Sequence, residues 1–122
     1  MTKLAHGELS GKRFPVEGAW TVVREDDGLV LEFSETFQTR YGPELEVFLS
    51  PKKFDAVTGV NALDDAVRLG RLQALKGAQR YAIPAHVDLN AIRSVVIHCE
   101  YFLVLWGGGD LTGSSADVDF AP

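Results

Sequence analysis

The sequence feature that most constrains the fold of this 122-residue chain is the run at residues 94–106. The run carries β-branched and aromatic residues at both odd and even positions and contains no glycine or proline, which favours a β-strand. A strand that is apolar on both faces lies at the centre of a sandwich or bends between two sheets. The run therefore predicts one long strand that is covered on both sides.

Residues 20–33 alternate around a short polar break and predict a β-hairpin. If residues 27–28 alone form the loop, Arg24 lies opposite Leu31. If residues 26–28 form the loop, with its glycine in the left-handed conformation, one face collects five residues that suit a buried surface. These residues are Thr21, Val23, Leu29, Leu31 and Phe33. The three-residue loop is favoured because it gives the more apolar face.

Residues 44–50 alternate in the same way and predict a half-buried strand, with its leucines and valine on one face and Glu46 and Phe48 on the other. Helical signals are short. Asn61 is a candidate cap for one or two turns within residues 55–69, and Asp88 is a candidate cap for one turn before Ile92.

These patterns predict an all-β fold, a mainly antiparallel sandwich of about seven to nine strands with at most one short helical insertion. We expect a single domain over residues 1–111. A glycine-rich tail with little to bury follows residue 106 and is expected to be partly mobile, and residues 112–122 are predicted to be flexible.

Charge and composition exclude several classes of function. Twelve basic and seventeen acidic residues give a net charge of −5, which argues against binding nucleic acid. No apolar run reaches the roughly 18 to 20 residues of a membrane span, so we expect no membrane insertion. The first ten residues lack the apolar stretch of a signal peptide, which predicts either a cytosolic protein or one expressed without its leader.

Cys99 is the only cysteine, so the chain forms no internal disulfide and no multi-cysteine metal site. By alternation it shares a face with Val95, Ile97, Tyr101 and Leu103. A cysteine on an apolar face is usually a small core residue, and a reactive thiol needs exposure or a cationic neighbour. Such a neighbour would have to come from another strand. The candidates are Arg71, Lys76, Arg80 and His86.

Other chemical motifs are missing from the sequence. The three histidines, His6, His86 and His98, are too dispersed for a known zinc spacing, and no haem attachment, nucleophile-elbow or phosphate-loop motif is present. No metal site is expected, no cofactor is identified, and a conventional enzyme is not indicated. The aromatic residues are mostly expected in the core, but any that are exposed are candidates for sugar stacking. The aromatic residues considered for this role are Trp20, Trp106, Tyr41, Tyr81 and Tyr101.

Four motifs in order resemble one family over residues 5–111. They are early strands around Gly11, Phe14 and Gly18; YGPELEVFLS at 41–50; LGRL at 69–72 leading to GAQRYAIP at 77–84; and VDL at 87–89 leading to SVVIHC at 94–99. Together they resemble the DM-thirteen domain, also called the electron-transfer DM domain. The order of the motifs makes the resemblance more specific than any one of them.

The resemblance implies an all-β domain of secreted or surface proteins, often beside DOMON domains, with one cysteine proposed to serve redox or electron transfer. Cys99 matches that cysteine. Glu44 stands where the family commonly has aspartate and keeps the carboxylate, whereas His98 stands where the family commonly has tryptophan. The candidate site is therefore Cys99 with His98 and Glu44, in an extracytoplasmic setting.

Two hypotheses follow from the residues and the resemblance together. In the first, Cys99 takes part in electron transfer with a partner protein or a cofactor, because a single thiol cannot cycle as an internal dithiol. In the second, the domain is a non-catalytic interaction module for a cell surface, matrix or polysaccharide, and Cys99 is only a core residue.

Overall fold

The computed structural model describes residues 2–26 and 28–111, and the tail expected at 112–122 lies outside these residues. Eleven strands are present in the described part, three of them only two residues long. They are β1 (Thr2–Glu8), β2 (Ser10–Gly11), β3 (Val16–Glu17), β4 (Ala19–Glu25), β5 (Gly28–Phe33), β6 (Gln38–Thr39), β7 (Leu45–Ser50), β8 (Val67–Arg71), β9 (Gln79–Ala82), β10 (Ser94–Cys99) and β11 (Val104–Asp110).

The strands form two main antiparallel sheets that pack face to face. One sheet has the order β1-β4-β5-β9, the other has the order β2-β11-β10-β7-β8, and β3 and β6 form a small separate pair. The core between the sheets holds large apolar residues from both, among them Trp20, Leu31, Phe33, Val47, Leu49, Val95 and Ile97. The predicted all-β antiparallel sandwich is confirmed, and β10 lies in the middle of its sheet as expected.

Helical structure in the described residues is limited to two 3-10 turns, Phe54–Ala56 and Leu89–Ala91. The Asp88 side chain accepts a hydrogen bond from the backbone N–H of Asn90, as predicted for that cap. The helix considered at Asn61 is wrong. The chain makes successive turns there, and the Asn61 side chain accepts from the backbone N–H of Thr58 (2.7 Å). No helix in the described ranges is long and apolar enough to cross a membrane.

The single strand predicted over residues 94–106 is wrong, because the chain reverses after Cys99. Residues 100–103 form a turn, and β11 returns antiparallel beside β10. The turn contains no glycine, but Leu103 adopts a left-handed conformation with φ of 53°. Tyr101 and Leu103 are therefore exposed in the turn and do not share the buried face of Cys99.

The expectation that Gly107 begins a loose tail is also wrong. Residues 107–109 are buried within β11. A Cβ on Gly107 would meet the side chain of Val16, and one on Gly109 would overlap the backbone carbonyl of Glu8. These glycines are needed because β11 runs so close to the neighbouring chain that no side chain fits.

Neither register proposed for the first hairpin is observed. Glu25 pairs with Gly28, which places Val22 opposite Leu31 and Trp20 opposite Phe33. All four of these inner residues are at most 2% exposed. This register buries Trp20, the largest side chain of the hairpin, whereas the favoured three-residue loop would have put Thr21 on the same face as Leu31.

The prediction that β7 is half-buried is wrong, since all six of its residues are buried. Its outer face, together with that of β10, is covered by residues 51–66. Phe54, Val57 and Ala62 from that segment pack on Phe48, Val96 and Leu105 to form a second, smaller core. We call residues 51–66 the covering segment.

Gly109→Ala should destabilise the protein by about 2 to 3 kcal/mol, because the added methyl group meets a backbone oxygen that cannot rotate away. Urea unfolding monitored by circular dichroism would measure the change. Ala82→Ser, at an exposed position of β9, is the control and should cost less than about 0.5 kcal/mol. Equal stability of the two variants would contradict the close approach of β11 to β1.

Candidate functional site

Cys99 is the last residue of β10 and is completely buried. It lies between Leu45 of β7 and Val104 of β11, and its side chain belongs to the core between the two sheets. The Sγ atom donates a hydrogen bond to the backbone carbonyl of Pro43, at 3.0 Å. This bond requires the protonated thiol, so the resting geometry is that of a core cysteine.

Residues 41–44 form the turn that contacts the thiol, and we call this segment the cysteine turn. Gly42 lies against the indole ring of Trp106 so closely that a Cβ would overlap it. Pro43 is half-buried, whereas Tyr41 and Glu44 on either side are exposed. The cysteine turn thus covers Sγ through Pro43, which is itself partly open to solvent.

Glu44 is joined to Cys99 through the backbone of Pro43, while its carboxylate is directed elsewhere. Its Oε1 atom lies 3.3 Å from Nη2 of Arg71 on β8, in an ion pair that is exposed to solvent. Glu44 adopts a left-handed backbone conformation with φ of 58°, which is unusual for a residue with a side chain. Through this ion pair, Glu44 connects the edge of the cysteine turn to β8.

The four cations considered as partners of Cys99 make no hydrogen bond or ion pair with it in the described residues. Arg71 pairs with Glu44, and Arg80 pairs with Glu25 and Glu32 on the opposite sheet. Lys76 and His86 are exposed in loops. The electrostatic activation that a reactive thiol needs is not supplied by these residues in this conformation.

His98 is next to Cys99 in sequence but faces the other side of β10, under the covering segment. It is completely buried, and its Nε2 atom donates to the carbonyl of Gly59 at 2.8 Å. The ring of Phe48 stands edge-on to the imidazole, with centroids 6.3 Å apart. Within the described residues Nδ1 has no hydrogen-bond partner. His98 thus anchors the covering segment to β10.

A buried carboxylate that sequence reasoning missed lies directly beside His98. Glu46 is the cross-strand neighbour of His98, and Arg68 of β8 binds both its oxygens, at 2.9 and 2.6 Å. The hydrogen bonds from Arg68 hold the pKa of Glu46 below its usual value, against the opposing effect of burial. One sequence signal could have indicated this pair. Glu46 and His98 are each a polar residue within an otherwise apolar strand, and both fall on the outward face by alternation.

The three predicted site residues do not converge on one point, although His98 and Cys99 are adjacent in sequence and the fold brings the backbone next to Glu44 against Cys99. Cys99 faces the inner core, His98 faces the outer core, and the Glu44 carboxylate is at the surface. Among the described residues, no group of three or more histidine, cysteine, aspartate or glutamate side chains could hold a metal ion.

Comparison with known protein families assigns the chain to one of them. A family model described as Electron transfer DM13 matches residues 8–108, more than four fifths of the chain. The chain belongs to the Electron transfer DM13 family. The matched range begins at the end of β1 and contains both the cysteine turn and Cys99. No curated protein and no solved structure matches the chain.

The ion pair between Glu46 and Arg68 in this DM13 domain should contribute to the free energy of unfolding in a pH-dependent way. Because the pKa of Glu46 is lower in the folded than in the unfolded state, its contribution is fully present above the unfolded value of about 4.5 and is lost as the pH falls through the folded value. A double-mutant cycle of Glu46→Gln and Arg68→Gln, measured by urea unfolding, should give a favourable coupling at neutral pH that shrinks toward zero in acid. A coupling unchanged down to pH values well below 4.5 would contradict this assignment.

Proposed function

We propose that this domain takes part in electron transfer and that Cys99 is the group that reacts, together with a partner protein or a cofactor. Membership of the Electron transfer DM13 family is the observation that carries the proposal. The position of Cys99 supports it, because the thiol lies at the end of the central strand, one hydrogen bond from the half-buried Pro43. A reactive group held on a regular element is positioned more accurately than one on a loop.

A single thiol requires an external oxidant, and a disulfide of a partner protein is suitable. Cys99 first loses its proton to solvent, and the resulting thiolate attacks one sulfur of the partner's disulfide. The partner's S–S bond breaks, a mixed disulfide with Cys99 forms, and the other partner sulfur leaves as a thiolate. The Cys99 sulfur is thereby oxidised and the leaving sulfur is reduced, so no further reagent is consumed.

Burial of Cys99 makes this step dependent on a movement of the cysteine turn. The turn is held by the Sγ–Pro43 hydrogen bond, by packing of Gly42 on Trp106 and by the exposed Glu44–Arg71 pair. Exposed ion pairs contribute little to stability, so one of these three restraints is weak. In this proposal Glu44 is a positioning residue that controls access, and His98 is a positioning residue that holds β10 from the opposite face.

The rate at which Cys99 reacts in the folded protein tests the proposal. Oxidised glutathione serves as the disulfide and iodoacetamide as the alkylating agent, with product measured by mass spectrometry. The reference is Cys99→Ala combined with Ala91→Cys, which places the only thiol at an exposed position. We expect the reaction rate of Cys99 to be lower than that of the exposed reference thiol. We also expect it to be higher than the rate at which the whole domain unfolds.

The variant Arg71→Gln should increase the reaction rate of Cys99 by about two- to fivefold, because it removes a weak external tie of the cysteine turn. Arg93→Gln, at the other end of β10, is the control and should leave the rate unchanged. A rate that equals the global unfolding rate in every variant would show an inert core thiol and would reject the proposal.

A second function, that of a binding module for a surface polysaccharide, is favoured by the exposure of two tyrosines. Tyr41 and Tyr101 are both more than two thirds exposed, and exposed aromatic rings can stack on sugars. If this is the function, Tyr41→Ala and Tyr101→Ala should each weaken binding on an array of surface glycans, whereas Cys99→Ala should not. Absence of binding to any glycan on the array would reject this alternative.

A further inference from the structure

The turn between β10 and β11 exposes three consecutive large apolar side chains. Tyr101, Phe102 and Leu103 are 71%, 60% and 53% exposed, and the first two rings contact each other edge to face with centroids 4.7 Å apart. The neighbouring Val60 is 81% exposed, and the backbone of Gly59 lies against the carbonyl of Leu103. We call these four exposed residues the tip surface.

A recess of about 330 Å³ lies beside the tip surface, and its only charged lining residues in the described part of the chain are cationic. Its lining consists of Lys12, Arg13, Gly59, Leu103, Val104 and Leu105. The ammonium group of Lys12 also lies 4.9 Å from the ring centroid of Phe54, which holds it near the covering segment. Exposed apolar side chains of the turn thus lie next to two cationic side chains, with Leu103 common to the tip surface and the recess.

We propose that the tip surface docks as a peripheral contact in the interfacial layer of an anionic phospholipid bilayer, without spanning it, and that the recess receives a headgroup phosphate. Tyrosine and phenylalanine favour the interface between headgroups and acyl chains, and leucine favours the acyl chains below it. Lysine and arginine bind the phosphates that lie above that layer. The protein thus presents apolar side chains and cationic groups side by side, joined by Leu103, and both are chemistries that the interfacial layer of a membrane binds.

Charge complementarity distinguishes this occupant from a purely apolar partner. The recess is cationic although the chain as a whole has a net charge of −5. Glu100 is the single carboxylate within residues 100–103, and it does not line the recess.

Co-sedimentation with vesicles tests the proposal independently of any electron transfer. Phosphatidylcholine vesicles with and without roughly a third phosphatidylserine supply neutral and anionic surfaces. The protein should bind the anionic vesicles more tightly, and Phe102→Ser should weaken that binding by about tenfold because most of one aromatic side chain no longer leaves water. Leu75→Ser, which changes an exposed leucine elsewhere, is the matched control and should have no effect.

The cationic recess is tested separately with Arg13→Gln, which should weaken binding to anionic vesicles by about two- to fivefold and leave binding to neutral vesicles unchanged. Arg93→Gln is the matched control, since Arg93 is exposed next to the opposite end of β10. Equal binding of the native protein to neutral and anionic vesicles would reject the role of the recess.

A fluorescence measurement identifies the surface that contacts the lipid. It uses substitutions to tryptophan, which keep the apolar area of the tip surface. In the variant Phe102→Trp, the fluorescence of the introduced tryptophan should be quenched by lipids brominated on the acyl chains. In Leu75→Trp, the fluorescence of the introduced tryptophan should not be quenched. Failure of the native protein to bind either vesicle, equal losses for Phe102→Ser and Leu75→Ser, or binding without quenching at position 102 would each overturn the proposal.

Discussion

Burial of β10 on both faces is the constraint on which the rest of the structure depends. Its inner face packs between the two sheets, and its outer face is closed by the covering segment. Both edges are paired as well, with β7 and β11. Cys99 and His98, although adjacent, are consequently removed from water on opposite sides, and any chemistry at either residue depends on the segment that covers that side.

The fold class, the central place of β10 and the capped turn at Asp88 could be predicted from the sequence, because they follow from alternation and from local capping. The reversal after Cys99 could not. Residues 100–103 contain none of the usual turn formers, and Leu103 takes its left-handed conformation directly before β11 begins to pair with β10 at Val104. The glycines of β11 predict a tail and not a buried strand, because a close approach of backbones leaves no periodic pattern in the sequence.

The candidate site was only partly predictable for a related reason. Sequence identified Cys99, His98 and Glu44, but the groups that contact the first two are the backbone carbonyls of Pro43 and Gly59. A carbonyl acceptor is common to every residue and so carries no sequence signal. The Arg68–Glu46 pair was missed because the covering segment buries an outer face that the alternation of β7 assigns to solvent.

The two ends of β10 differ in how firmly the chain is held, and this difference bears on function. At the first end, the Ser94 hydroxyl donates to the carbonyl of Lys52 at 2.7 Å, and the N–H of Arg93 donates to the carbonyl of Ser50 at 2.8 Å. At the other end, the turn is closed by a longer bond of 3.3 Å from Leu103 to Glu100. Local opening of a native protein begins where such restraints are fewest. The thiol and the turn at residues 100–103 both lie at this end of β10, so docking at the tip surface would occur next to Cys99, whose own restraint is the 3.0 Å bond to Pro43.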